Sequence, residues 1–367
     1  MTDISVPETH ASAILTIDLA AIVENYRTLQ KQTQGVECAA VVKANGYGLG
    51  AEQVGGALLG AGCRKFFVAH LDEGIDLRAV VGDAEIHILG GLVPGVEDVY
   101  RQHKLVPVLG SLGEIAAWKA YADGSPLPCD IHVDTGMLRL GLPPAELRQI
   151  ADHPQLMSGL EIRNVISHLA AADTIHSPQS GAQLRAFKEA RRILPQGQAC
   201  FANSSGIFWG SPYHFDLVRP GVALYGVNPT PDSANPMRPT VELQARIVQL
   251  RDARAGDTVG YGATYKVKES AKIATLAVGY ADGYLRALSG KAFAYLGGHR
   301  IPLVGRVSMD LITFDVSQVP HPLCHVGAWV ELIGANHKVD DLAREADTIG
   351  YEVLTSLGSR YHRVYKT

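Results

Sequence analysis

The sequence predicts an α/β protein: a (β/α)8 TIM-type barrel over residues 1–236, followed by a mostly β C-terminal domain over 237–367. Three observations carry this expectation. Eight short runs rich in Val, Ile and Phe alternate with helix-like stretches through the first two thirds of the chain. Each run is about six residues long and apolar throughout, as parallel strands covered on both faces require. Beyond NPTPDSANPMRPT (228–240), a stretch that reads as a linker, the chain changes to short strands punctuated by Gly turns.

The eight runs are CAAVVK (38–43), KFFVAH (65–70), EIHILG (85–90), LVPVLG (105–110), CDIHVDT (129–135), RNVISHL (163–169), QACFANS (198–204) and FDLVRPG (215–221). The same alternation would also build an open doubly wound sheet; the count of eight favours the barrel. Between the runs lie helical segments such as SLGEIAAWKAYA and SPQSGAQLRAFKEARRIL, with Ser111 and Ser177 as N-cap candidates and Pro143 near a first turn. A helix over IDLAAIVENYRTLQKQT (17–33) precedes the first strand, and roughly the first dozen residues read as a tail. The second domain begins with VELQARIVQLRD and holds one helix near DDLAREADTIG.

Composition narrows the function classes. A net charge of -4 leaves no basic footprint for nucleic acid. No apolar stretch approaches the ~18 residues of a membrane span. The opening MTDISVPETH has no basic region leading into an apolar one, so no secretory signal is expected. The five cysteines, Cys38, Cys63, Cys129, Cys200 and Cys324, are far apart and form no C-x-x-C pair. They point to a reducing, cytoplasmic setting and to small core residues rather than metal ligands.

In a barrel, the chemistry collects at the C-terminal ends of the strands. There the sequence places Lys43, Asp134 with Arg139 just beyond, His168, the turn Asn203-Ser204-Ser205-Gly206, and Arg219-Pro220-Gly221. A lysine that ends a buried strand is either paired or used as a neutral amine. A neutral lysine beside a Gly/Ser-rich rim that can cradle phosphate suggests a Schiff base with pyridoxal phosphate. Taken singly, Lys43 reads as a surface lysine, His168 as a core histidine, and Arg139 and Arg219 as ion-pair partners. Their common place at one barrel mouth favours the functional reading.

The chain resembles the alanine racemase family over nearly its whole length. AVVKANGYGLGA (41–51 and the preceding Ala) resembles the pyridoxal-lysine signature. VDTGMLRLG (133–141), SHLAAAD (167–173), ANSSG (202–206) and VRPGVALYG (218–226) resemble barrel motifs. VGYGATY (259–265), GYADG (279–283), GRVSMD (305–310) and TIGYEV (348–353) resemble motifs of the second domain.

The resemblance implies roles. Lys43 would carry pyridoxal 5'-phosphate and act as base on one face of the substrate; Tyr261 of the partner subunit would be the base on the other. Arg139 and the backbone of Met309 would bind the substrate carboxylate, with Tyr280 beside them. Arg219 would face the pyridine nitrogen, with His168 hydrogen-bonded behind it. Tyr47, Asn203, Ser204, the Gly221 amide and Tyr351 would complete the cofactor site. The implied protein is a cytoplasmic, head-to-tail homodimer that interconverts L- and D-alanine and supplies D-alanine for peptidoglycan, a catabolic role being the other option.

Departures from the family pattern are visible. His132 stands where many members carry a carbamylated lysine, Gly46 and Leu49 replace the usual Ala and His, and SRYHRVY (359–365) lacks a usual Pro. A pyridoxal-dependent decarboxylase shares the barrel but would not be expected to carry GYGATY, and would place a catalytic cysteine in the second domain, where Cys324 lies outside any matching motif. A broad-spectrum or serine racemase is a further alternative; a non-catalytic pyridoxal-phosphate carrier would not need the β domain.

Overall fold

The structure, a computed structural model, describes residues 10–174 and 177–367. It forms two compact units: Ile22–Arg238, and the chain up to Ala21 together with Pro239–Thr367. The sequence reading instead keeps everything before 237 in the barrel. The difference arises at β1 (Ala13–Asp18), which pairs antiparallel with the first strand of the β-rich unit. Of the expected N-terminal tail, residues 1–9 lie outside the described residues.

The first unit is built on β2 (Glu37–Cys38), β3 (Ala40–Val41), β4 (Lys65–Val68), β5 (Glu85–Ile88), β6 (Leu105–Leu109), β7 (Pro128–His132), β8 (Glu161–Ile166), β9 (Gln198–Cys200) and β10 (Leu217–Val218). All lie within or beside the eight predicted runs. They pair in parallel, in the order β2-β10-β9-β8-β7-β6-β5-β4-β3. β2 and β3 are two halves of one strand interrupted at Ala39. The N–H groups of Ala39 and Val41 donate to Val218 and Pro220 on one side, both at 3.0 Å, while Val42 donates to Phe67 on the other at 2.9 Å. The first strand therefore bonds to both ends of the series, and the ring of eight closes.

Helices alternate with the strands as the sequence predicts. Ser111 caps its helix, accepting the Glu114 N–H at 3.2 Å. Ser177 precedes the helix Pro178–Ile193 but its hydroxyl does not cap it. The helix expected over 17–33 starts later, at Leu19, because Ile17 and Asp18 belong to β1 and the Asp18 carboxylate accepts the Ala21 N–H at 2.7 Å.

One layer of the barrel interior is polar, contrary to the apolar reading of the runs. His87 and Asp130 are fully buried and hydrogen-bonded at 2.8 Å. Asp130 also accepts from the backbone and side-chain amides of Asn164, at 3.1 and 2.7 Å. Phe67 stacks on His87 with ring centres 4.5 Å apart, and the Arg219 guanidinium lies 5.4 Å over Phe67.

The second unit is mostly β. Its spine is β11 (Val241–Ala253), whose residues alternate between buried and half-buried from Val241 to Ile247. It is followed by β12 (Thr258–Val259), β13 (Tyr265–Lys266), β14 (Ala271–Leu276), β15 (Phe293–Leu296), β16 (His299–Pro302), β17 (Ile312–Asp315), β18 (Trp329–Ile333) and β19 (His362–Lys366). The main order is β16-β15-β18-β11-β1-β19, with β14 pairing both β11 and β17. Two short helices, Val339–Glu345 and Gly350–Ser356, occupy the region where one was expected.

Candidate active site

Lys43 stands where the first barrel strand ends, and the chain after it turns left-handed. Ala44, Asn45, Gly46, Tyr47 and Gly48 have φ of 53, 54, 61, 54 and 83°. Each non-glycine residue there costs about 1–2 kcal/mol. Such strain persists only where surrounding contacts enforce it. Here two side chains do so: the Asn45 carbonyl accepts the Ala51 N–H at 2.9 Å, and Glu73 accepts the Ala44 N–H at 2.6 Å. The other Glu73 oxygen takes the N–H groups of Ala69 and His70, at 2.7 and 3.2 Å. One carboxylate thus ties the lysine turn to the end of the second strand.

The electrostatics suit a neutral amine. Burial, then the charges of Arg139 and Arg219, lower the proton affinity of Lys43 below that of an ordinary lysine; Glu73 works in the opposite direction. Burial and the same two arginines hold His168 well below the usual imidazole range and bring His132 down to about 4. Both histidines are therefore neutral at pH 7. His132 cannot supply a negative charge to Arg139, and its neutrality keeps it from adding to the cationic field.

Arg219 is buried at the end of β10. Its Nη2 donates to the Ser167 carbonyl at 2.7 Å and its Nε to the Cys200 sulfur at 3.0 Å. The expected His168–Arg219 hydrogen bond is not formed among the described residues; the neighbouring strands β8 and β9 hold the guanidinium instead. Burial pushes the Cys200 thiol up to about 11, so it faces Arg219 as a neutral sulfur. His168 is steadied through its carbonyl, which accepts from buried Gln183 at 2.8 Å.

Ser204 accepts the backbone N–H groups of Gly221 and Ala223, at 3.0 and 3.2 Å. The Gly221 amide is thus taken up by Ser204. With both acceptor sites occupied, the hydroxyl is left to donate its own proton, as a phosphate oxygen would require. Tyr47 reaches the same corner: a Cβ added at Gly221 would lie 2.3 Å from the Tyr47 oxygen. The corner is therefore open only with glycine there, and its hydroxyl and short-helix backbone suit a phosphate. The Asn203 side-chain oxygen instead accepts the Gly206 N–H at 3.0 Å and shapes this turn.

Arg139 is exposed, on a loop pinned by Asp134, whose Oδ1 accepts the N–H groups of Gly136, Met137 and Leu138. The barrel unit thus brings Lys43, Tyr47, Arg139, His168, Asn203, Ser204, Arg219 and Gly221 to the C-terminal ends of its strands.

The remaining expected residues lie on the β-rich unit. Tyr261 sits in a short turn, 70% exposed. Tyr280 and Met309 occupy adjoining turns: the Tyr280 N–H donates to Ser308 and the Ala281 N–H to Met309, both at 3.0 Å. Tyr351 lies in the helix Gly350–Ser356.

Residues 17–229 match the family described as Alanine racemase, N-terminal domain, and residues 240–365 match Alanine racemase, C-terminal domain. The chain belongs to the alanine racemase family. A relative named alanine racemase, catabolic, from Mesorhizobium japonicum is 49% identical over 98% of this chain and 95% of its own. One named alanine racemase, biosynthetic, from Agrobacterium fabrum is 44% identical over 96% and 93%. Among solved structures, an alanine racemase from Bartonella henselae with covalently bound pyridoxal phosphate is 42% identical and superposes with a TM-score of 0.94, covering 97% of this chain and all of that one.

Glu73 and Gln183 escaped the sequence reading. Glu73 carried a usable signal, being the third residue of a helix that opens after His70, where a carboxylate reaches free N–H groups. Gln183 carried none, since a glutamine within a helix reads as surface.

Proposed function

We propose that this chain is an alanine racemase that interconverts L- and D-alanine, with pyridoxal 5'-phosphate attached at Lys43. The observation that carries the reading is a lysine at the barrel mouth, depressed in proton affinity and flanked by a corner suited to phosphate. When bound, pyridoxal phosphate supplies the electron withdrawal that makes the α-proton of an attached amino acid acidic.

The protein's own groups do the rest. Racemisation removes the α-proton from one face and returns one to the other, so two bases are needed. Lys43 serves one face and Tyr261 of a second copy the other. Arg139 and the Met309 N–H hold the substrate carboxylate, with Tyr280 alongside. A guanidinium does not give up its proton, so Arg219 would donate to the cofactor's ring nitrogen without protonating it. A ring nitrogen left unprotonated would withdraw electrons less strongly and would disfavour side reactions such as transamination. Ser204, Tyr47 and Tyr351 would hold the phosphate.

The exposed Tyr261, Tyr280, Met309 and Leu311 support a homodimer whose sites are completed by the partner. Five buried, unpaired cysteines support a reducing, cytoplasmic compartment. No helix among the described residues is long and apolar enough to cross a membrane. The D-alanine formed would serve peptidoglycan synthesis.

Incubation with L-alanine in heavy water tests this reading. Deuterium at the α-carbon with decay of optical rotation to zero supports it. Release of carbon dioxide, or no exchange on alanine, would overturn it.

A further inference from the structure

The C-terminal SRYHRVY segment departs from its family's pattern, and the proposed chemistry leaves it unused. Its Arg360 side chain is not idle. Nε and Nη2 grip the two oxygens of Asp282 at 2.5 and 2.8 Å, and Nη1 donates to Asp310 at 2.7 Å. Asp282 is buried and belongs to the GYADG turn; Asp310 follows Met309 directly. One guanidinium therefore joins two loops far apart in sequence, using the planar fork that lysine lacks.

The joined loops fix a peptide plane. The second Asp282 oxygen also accepts the Gly279 N–H at 2.8 Å, which holds the turn closed. The Asp282 carbonyl accepts the Gly358 N–H at 2.9 Å, so the turn that carries Arg360, just before β19, is tied to the same place. A Cβ at Gly279 would lie 2.2 Å from the Met309 carbonyl oxygen, so the turn and the Met309 loop are in direct contact. From that turn the Tyr280 N–H reaches the Ser308 carbonyl and the Ala281 N–H the Met309 carbonyl. In a trans peptide the C=O and N–H point oppositely. Anchoring the Ser308 oxygen inward thus turns the Met309 N–H outward. Among the described residues that N–H has no hydrogen-bond acceptor, and Met309 is 53% exposed.

We propose that Arg360 is a positioning residue: by joining Asp282 to Asp310 it fixes the direction of the Met309 N–H, the group that receives the substrate carboxylate. The proposal rests on the racemase reading for the identity of that carboxylate, but the clamp itself does not.

The test compares holoenzymes carrying Arg360→Ala, Arg360→Lys and Asp310→Asn with the parent. Two quantities are read: hydrogen exchange at the Tyr280 and Ala281 amides, and KM against kcat for alanine. In Arg360→Ala, exchange at both amides accelerates about tenfold or more, KM rises about ten- to hundredfold, and kcat changes much less. Arg360→Lys restores only part of KM, since it keeps the charge without the fork. Asp310→Asn, which leaves the Asp282 grip intact, raises KM severalfold and serves alone if Arg360→Ala does not fold. Unchanged KM in Asp310→Asn and Arg360→Ala, or a fall in kcat with KM unchanged, would overturn the proposal. If the parent protein did not racemise alanine, that reading alone would fall; unchanged amide exchange in Arg360→Ala would sink the clamp regardless.

Discussion

The Glu73 carboxylate accepts the backbone N–H of Ala44 at 2.6 Å, one residue beyond Lys43, and so holds the strained turn that presents the lysine. The same charge raises the proton affinity of Lys43 against burial and the two arginines. Glu73→Gln removes the charge and sets an amide N–H against a backbone N–H. The loss of charged hydrogen bonds is expected to cost about 1–3 kcal/mol of stability, read from a urea midpoint. The pH at which Lys43 of the cofactor-free protein becomes reactive toward an aldehyde should move further down, because one stabiliser of the ammonium form is gone. A midpoint moving upward would contradict this assignment.

Lys43 itself should capture an aldehyde with a midpoint below that of an ordinary lysine, about 10.4. The neutral amine is the reactive form, so the rate rises with pH and levels off early. Lys43→Ala should abolish covalent attachment of pyridoxal phosphate, checked by mass after borohydride reduction. Phosphate-anchored, non-covalent binding should survive in that variant through Ser204 and Tyr47.

Tyr261→Phe removes one proposed base while leaving the ring. Activity starting from L-alanine should fall by about 10²–10⁴. Exchange of the α-proton of D-alanine with solvent should be much less affected, since Lys43 serves that face. Equal activity in both directions at the parent's level would rule out Tyr261 as a base.

The polar layer beneath the site makes a stability prediction. Burial disfavours the charged form of His87, but Asp130 at 2.8 Å and Glu85 outweigh it, and the net proton affinity is raised. The stabilising contribution is therefore complete below the unfolded value near 6.5 and is lost as pH rises through the folded value. The urea midpoint of the parent should decline above about pH 6.5 by more than that of His87→Leu. His87→Leu should itself cost about 3–5 kcal/mol near pH 6, because Asp130 is left buried without its partner.

How much of this was readable before the structure depends on the residue. The barrel strands were legible because parallel strands buried on both faces are continuous apolar runs, and KFFVAH and EIHILG need no context to be recognised. His87 and Asp130 were not, since nothing local shows that alternate strands aim these two side chains at each other. The sequence keeps residues 13–18 with the barrel because AILTID suits either sheet; only the pairing of β1 with β11 decides. At the site, Lys43, His168 and Arg219 could be found because strand ends in a barrel converge. Tyr261 and Met309 could not, apart from the family resemblance, because exposed turn residues carry no periodic signal. Arg360 was hidden for another reason: its partners lie 50 and 78 residues away.

The central claim is that Lys43 and Tyr261 of two different chains complete one site. Mixing Lys43→Ala protein with Tyr261→Phe protein under conditions that exchange subunits tests it directly. A mixed dimer has one site with both bases intact, so the account predicts that racemisation of L-alanine, nearly absent in either parent variant, reappears on mixing. If activity stayed at the level of the separate variants while mixed dimers were present, the two bases would not come from different chains.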